Sequence, residues 1–204
     1  DVQPGTPAGF LHQQNTLRDA LTAALNLGLF YAHADRVRMT NITQMVNVLQ
    51  AMILTDGPAM LLTPTYDVFM MHKPFRGATS LATELQGEDY RSGSEAGPAV
   101  HATAARGADG VIVLSLTNID PHRPARVAVS LPGLKAADVS GTVLTAAEMD
   151  THNTFDVPDR LRSAPFKGAR ITGDGVDVQM PAKSVVVLQL RPVARRSSSR
   201  LGWQ

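Results

Sequence analysis

From Asn15 to Phe30 the apolar residues Leu17, Ala20, Leu21, Ala24, Leu25 and Gly28 return at steps of three and four, so they share one face and predict an amphipathic helix. Asn15 stands at its start as an N-cap. Residues 37–42, VRMTNI, alternate apolar with polar and predict a short strand. Met45, Val46, Leu49, Met52 and Ile53 go back to helical spacing, and that run stops at the turn signal Asp56-Gly57-Pro58. Thr63-Pro64 has the form of an N-cap followed by proline at the first helical position, which opens a further short helix over residues 66–72.

Beyond Pro74 the period changes to two. The stretches 79–85, 99–105, 111–117, 125–131, 139–147, 176–180 and 184–190 are short, rich in Val, Leu, Thr and Ala, and separated by Gly, Pro and Asp, the pattern of an antiparallel β-sandwich. The chain is therefore expected to be an α/β piece (helix, strand, helix) over residues 1–74, an all-β domain over 75–192, and a polar, basic, flexible tail over 193–204. A helix-strand-helix unit cannot cover a parallel strand on both faces by itself, which points to further chain upstream. The start at Asp1 rather than methionine points the same way.

Composition narrows the partners. The 19 Lys+Arg nearly balance the 18 Asp+Glu, so no basic field draws the chain to nucleic acid or an anionic membrane, and neutral partners are expected. With no cysteine there is no disulfide framework, thiolate metal site or cysteine nucleophile. No apolar run reaches the roughly 18 residues of a membrane span, and residues 1–12 lack the features of a signal peptide.

No familiar catalytic motif stands out: there is no G-x-S-x-G elbow, phosphate loop, H-E-x-x-H or dinucleotide fingerprint. GDGVD at 173–177 lacks the further acidic ligands of a calcium loop and reads as a hairpin turn. His33 and Asp35 lack a third metal ligand nearby, and with Arg36 they read as the turn that closes the first helix. Glu84, Glu88 and Asp89 form a carboxylate cluster, but in a glycine-rich charged segment that reads as a solvated loop. Asn41-Ile42-Thr43 matches a glycosylation sequon at the end of a strand expected to be buried, and is taken as chance. Asn41, Thr43, Gln44 and Asn47 remain, a cluster of uncharged polar groups inside an apolar run. At the C-terminal end of a barrel strand such groups line an active-site mouth, where an amide offers sugar hydroxyls both donor and acceptor; amides also serve as buried structural links.

The blocks QQNTLRDALTAALNLGLF (13–30), HADRVRMTNITQMVNVLQAMILTDG (33–57) and LTPTYDVFMMHK (62–73) resemble the C-terminal part of family 51 glycoside hydrolases, the α-L-arabinofuranosidases. The resemblance resumes at NTFDVPDRL (153–161), APFKGA (164–169) and MPAKSVVVLQL (180–190). It implies that 1–74 is the C-terminal end of a (β/α)8 catalytic barrel and that a jelly-roll-like sandwich follows. It also implies a retaining exo-enzyme acting on arabinoxylan, arabinan and related oligosaccharides, without metal or cofactor, in the cytoplasm, in a family whose members often form homo-oligomers. Both catalytic carboxylates of the family fall upstream of Asp1, so no catalytic residue is expected in this chain. One contact carries over: Gln44, within N-I-T-Q-M-V-N-V, matches the glutamine that hydrogen-bonds the arabinose, and Asn47 is expected to brace the backbone around it. The alternative is a non-catalytic carbohydrate-binding or assembly sandwich, against which stands the scarcity of aromatics: residues 76–191 hold only Tyr90, Phe155 and Phe166.

Overall fold

The computed structural model describes residues 14–42, 45–48, 50–173 and 175–193. Helix α1 spans Leu17–Ala32, as the apolar spacing predicts, and buries Leu17, Ala20, Leu21, Ala24 and Leu27. Its cap is Thr16, one residue later than expected, because the Asp19 carboxylate accepts both the Thr16 N–H (2.7 Å) and its hydroxyl (2.9 Å). Asn15 is left to donate to the Ala51 carbonyl at 3.0 Å. Gly28 marks where the helix meets the sheet: a Cβ there would stand 2.8 Å from Thr103 Oγ1.

The strand expected at 37–42 does not form. A parallel strand gains its ladder only from neighbours, and among the described residues no strand runs beside it. The helix expected over 45–53 does not form either. Asn47 and Gln50 adopt φ of 55° and 60°, the left-handed region, which interrupts any α-helix. The chain instead enters a hairpin of β1 (Ile53–Asp56) and β2 (Ala59–Leu62), which turns where Asp56-Gly57-Pro58 predicts. Helix α2 follows over Pro64–Met71, with Thr63 as N-cap and Pro64 in the first turn as expected, and a 3-10 turn spans Lys73–Phe75.

The remaining strands are β3 (Thr79–Leu81), β4 (Asp89–Ser92), β5 (Glu95–Pro98), β6 (Val100–Arg106), β7 (Ile112–Asn118), β8 (Ala125–Ser130), β9 (Ala136–Thr145), β10 (Ala164–Pro165), β11 (Ala169–Ile171), β12 (Gly175–Met180) and β13 (Ser184–Pro192). Six form an antiparallel sheet in the order β10-β9-β13-β7-β6-β3, and three form a second sheet, β11-β12-β8. Glu84 and Glu88 lie in an exposed loop, as expected, and Asp89 opens the exposed β4–β5 hairpin, while β11 and β12 pair antiparallel from Ala169↔Val178 to Ile171↔Val176, the hairpin that the GDGVD reading predicts.

Alternation along β13 builds two cores. Val186, Leu188 and Leu190 face the second sheet, packing with Ile112, Leu114, Leu116, Val176, Val178 and Met180. Val185 and Val187 face the other way, into a cluster with Leu17, Leu21, Leu27, Val68, Phe75 and Leu144. The molecule is thus three layers deep, with helices, a six-stranded sheet and a three-stranded sheet in that order. Strands covered on both faces read as unbroken apolar runs, which is why 184–190 is nearly all Val and Leu.

Candidate functional site

Gln44 and Thr43 lie outside the described residues, so the structure neither places nor displaces the expected sugar contact. The chain on the C-terminal side of them is firmly held. The Met45 carbonyl accepts the N–H groups of Met52 and Ile53, both at 3.1 Å. Asn47, expected to brace the backbone around Gln44, sits in a left-handed turn and ties to Thr55 on β1: its Nδ2 donates to Thr55 Oγ1 (2.8 Å) and its Oδ1 accepts the Thr55 N–H (2.7 Å). The buried Ala51 carbonyl accepts Asn15 Nδ2 (3.0 Å) and Thr63 Oγ1 (2.7 Å), and Gln50 Nε2 donates to Asp19 Oδ1 (2.8 Å). The segment is therefore pinned to the N-terminal ends of both helices.

A second clamp reaches the same place from the sandwich. Asn153 donates to the carbonyls of Leu62 (2.8 Å) and Leu161 (3.1 Å) and accepts the Leu161 N–H (2.7 Å). Asp67, buried in α2, accepts the Ser163 N–H (3.0 Å) and hydroxyl (2.9 Å) through Oδ1. Its Oδ2 faces Arg162 Nε at 3.3 Å, an ion-pair distance without hydrogen-bond alignment. The Leu17 N–H donates to Thr151 O (2.9 Å), so one loop spans the starts of both helices. Sequence reasoning missed Asn153, Asp67 and Ser163 as partners; the only signal was that NTFDVPDRL resembles a family block. Asp67→Ala leaves the Ser163 N–H unpaired and should cost about 1–3 kcal/mol. Urea unfolding checks this, and an unchanged midpoint would show that the clamp carries no stability.

His72, at the end of α2, joins helix and sheet. Because a carbonyl can only accept, Nδ1–H donates to Val68 O (2.8 Å), which leaves Nε2 to accept from the Ser115 hydroxyl (3.0 Å) in the neutral ring. Tyr31 and Phe75 stack nearby, with ring centroids 4.7 Å apart. Burial lowers the His72 pKa to about 4, against the smaller opposing effect of the Val68 bond, so the ring is a neutral anchor. Burial also raises the Tyr31 pKa to about 12.

The carboxylates singled out in the sequence are not an acid–base pair. Glu88 is exposed and meets Arg123 at 3.1 Å, and Arg123 Nε meets Asp120 Oδ2 at 2.6 Å. Burial works to raise the pKa of Asp120, but the N–H of His122 and the side chain and N–H of Arg123 outweigh it and hold the group below its ordinary value. This network locks the turn after β7. His33 accepts Arg36 N–H (3.1 Å) and Val37 N–H (2.8 Å) through its carbonyl, so the HADR knot is a turn, as read. No group of three or more His, Asp or Glu able to hold a metal gathers among the described residues. Tyr90 lies on the β4–β5 hairpin, Phe155 on the clamp loop and Phe166 against the inter-sheet core, so these aromatics are spread over separate elements.

The family model "Alpha-L-arabinofuranosidase C-terminal domain" matches residues 2–184. An intracellular exo-alpha-L-arabinofuranosidase from Bacteroides ovatus is 44% identical over 192 residues, which are 94% of this chain and 37% of that protein. The crystal structure of the GH51 arabinofuranosidase from Xanthomonas axonopodis pv. citri is 51% identical with a TM-score of 0.89, covering 93% of this chain and 38% of that one. The α-L-arabinofuranosidase from Thermotoga maritima, solved as an arabinose complex, shares the fold at 21% identity, with a TM-score of 0.78 over 92% of this chain and 41% of its own. The chain spans little more than a third of the length of the first two proteins.

Proposed function

From the premise that the chain belongs to the α-L-arabinofuranosidase C-terminal domain family, as the C-terminal part of a family 51 glycoside hydrolase, we propose that it completes a retaining exo-α-L-arabinofuranosidase. In this reading residues 1–74 close a (β/α)8 barrel, 75–192 form the sandwich and 193–204 a tail. The enzyme removes terminal α-L-arabinofuranosyl groups from arabinoxylan, arabinan and related oligosaccharides. Retention calls for two carboxylates about 5 Å apart, one acting as acid and then base, the other as nucleophile, and both belong to the upstream barrel. The observation that carries the reading is the 51% identity to the Xanthomonas enzyme across 93% of the chain.

Exposed apolar side chains agree with a missing upstream neighbour. Leu29, Met39, Met45, Met60 and Met70 are 45–76% exposed, all within the portion assigned to the barrel. Since the Bacteroides relative is named intracellular, we place the whole enzyme in the cytoplasm.

The test is to express these residues alone and joined to their upstream coding sequence, then assay an aryl α-L-arabinofuranoside. Hydrolysis is expected only from the joined protein, and equal activity of the short chain sinks the reading. Within the joined enzyme, Gln44 binds the furanose. Gln44→Ala should lower kcat/KM by a factor corresponding to about 1–3 kcal/mol, with folding intact. An unchanged kcat/KM removes Gln44 from the site.

A further inference from the structure

We infer that Phe155, at the tip of the loop joining β9 to β10, is a specificity-determining contact of the enzyme: it stacks on a sugar ring of the substrate beyond the arabinose that is removed. The inference deepens the functional reading above and rests on it for the barrel and its substrate.

The first basis is where the loop lies. Thr151 O accepts the N–H of Leu17, the first residue of α1 (2.9 Å), and Asn153 Nδ2 donates to Leu62 O (2.8 Å), two residues before α2. The Ser163 hydroxyl donates to Asp67 in the first turn of α2 (2.9 Å). In a (β/α)8 barrel every helix starts where its strand has ended, on the face that carries the active site. With residues 1–74 closing the barrel, this loop is laid on the catalytic face although it belongs to the sandwich. An exo-enzyme takes the terminal residue into its pocket, so the rest of the saccharide leaves across that face.

The second basis is how the loop is built. Asn153 closes its base on Leu161, accepting the Leu161 N–H (2.7 Å) and donating to the Leu161 carbonyl (3.1 Å), and Leu161 is buried in the helix-side core. Above this base Thr154 and Val157 exchange backbone hydrogen bonds at 3.1 and 3.3 Å, and the Val157 N–H also reaches Thr154 Oγ1 at 3.1 Å. Phe155 and Asp156 are thereby the two central residues of a tight turn. The tip is preformed, and a ligand that meets it does not have to order it.

The third basis is what the tip presents. Residues 155–160, FDVPDR, are all exposed. Phe155 is 41% exposed, belongs to neither core, and is the most exposed Phe or Tyr among the described residues. Asp156, Asp159 and Arg160 surround it in sequence, so a protein surface closing over the tip, whether the upstream barrel or a second copy, would strip water from three charges. A saccharide makes no such demand. Its C–H face covers the ring while its hydroxyls donate to carboxylates and stay at the edge of the solvent. One aromatic face does not make a binding module, so it extends the site of the barrel.

The test compares two substrates of the joined enzyme: an aryl α-L-arabinofuranoside, which has one ring beyond the arabinose, and a linear arabinopentaose, which has four. Phe155→Ala should lower kcat/KM for the pentaose about 10-fold more than for the aryl glycoside, mainly through KM, the worth of one stacked ring. Phe155→Trp should keep the wild-type ratio between the substrates, and Phe155→Leu, apolar but without a flat face, should lose it. Hydrolysis of the aryl glycoside reports that each variant is folded. Equal losses on both substrates, no loss on either, or a wild-type ratio in Phe155→Leu overturns the inference; equal losses are expected if the upstream chain or a second copy covers the ring. An active enzyme with any of these outcomes refutes this inference alone. A joined protein that hydrolyses neither substrate refutes the functional reading, and this inference falls with it.

Discussion

Between about pH 6.5 and pH 4 the chain should lose roughly 3 kcal/mol of unfolding free energy through His72 alone. The sign follows from proton counting. As the pH falls through about 6.5 the unfolded chain's imidazole takes a proton. The folded ring refuses it until about pH 4, because protonation would place a charge among Tyr31, Phe75 and the underside of the sheet. In this window the unfolded state binds more protons, so stability is full above it, falls with pH through it, and levels off below. His101, half-buried in β6, is lowered by burial too and adds to the same slope. Asp120 is held low, so its stabilising contribution is present above the ordinary carboxylate value and is lost only in more acidic solution. Urea unfolding at a series of pH values measures the slope. His72→Gln should flatten most of it, and a variant that keeps the full slope would falsify the assignment to His72.

Truncating either side of the central sheet should be comparably severe. Leu188, fully buried on the inter-sheet face of β13, and Leu144, fully buried on the helix face of β9, should each cost about 2–5 kcal/mol when changed to alanine. The two belong to separate clusters, so the double variant should come within about 0.5 kcal/mol of the sum. A two-layer sandwich would leave the Leu144 face wet and that substitution nearly neutral. Denaturant titrations of the three variants decide, and a near-zero effect of Leu144→Ala would mean that α1 and α2 do not cover this sheet in solution.

Legibility in the sequence tracked how local each cause was. Helix α1 was readable because one face is buried and the spacing records it, and α2 because Thr63 and Pro64 signal a start by chemistry of their own. The central strands were readable from their Val and Leu runs, although those runs do not say what covers the second face. The segment 37–53 misled because two left-handed residues, Asn47 and Gln50, break a periodicity that still looks helical on paper. The contacts from Asn153 to Leu62 and from Asp67 to Ser163 join residues more than ninety positions apart, and no local pattern encodes them. Gln44 came from resemblance to a family, and only kinetics on the joined protein can test it.

The place of β13 has a consequence for synthesis. The last of the described strands sits in the interior of the large sheet, between β9 and β7, and supplies Val185 and Val187 to the surface on which α1 rests. A ribosome adds roughly 5–20 residues per second, so α1 must wait on the order of ten seconds after its own emergence before that surface exists. A nascent chain halted before Ser184 therefore presents Leu17, Leu21 and Leu27 without the part of their cover that β13 supplies.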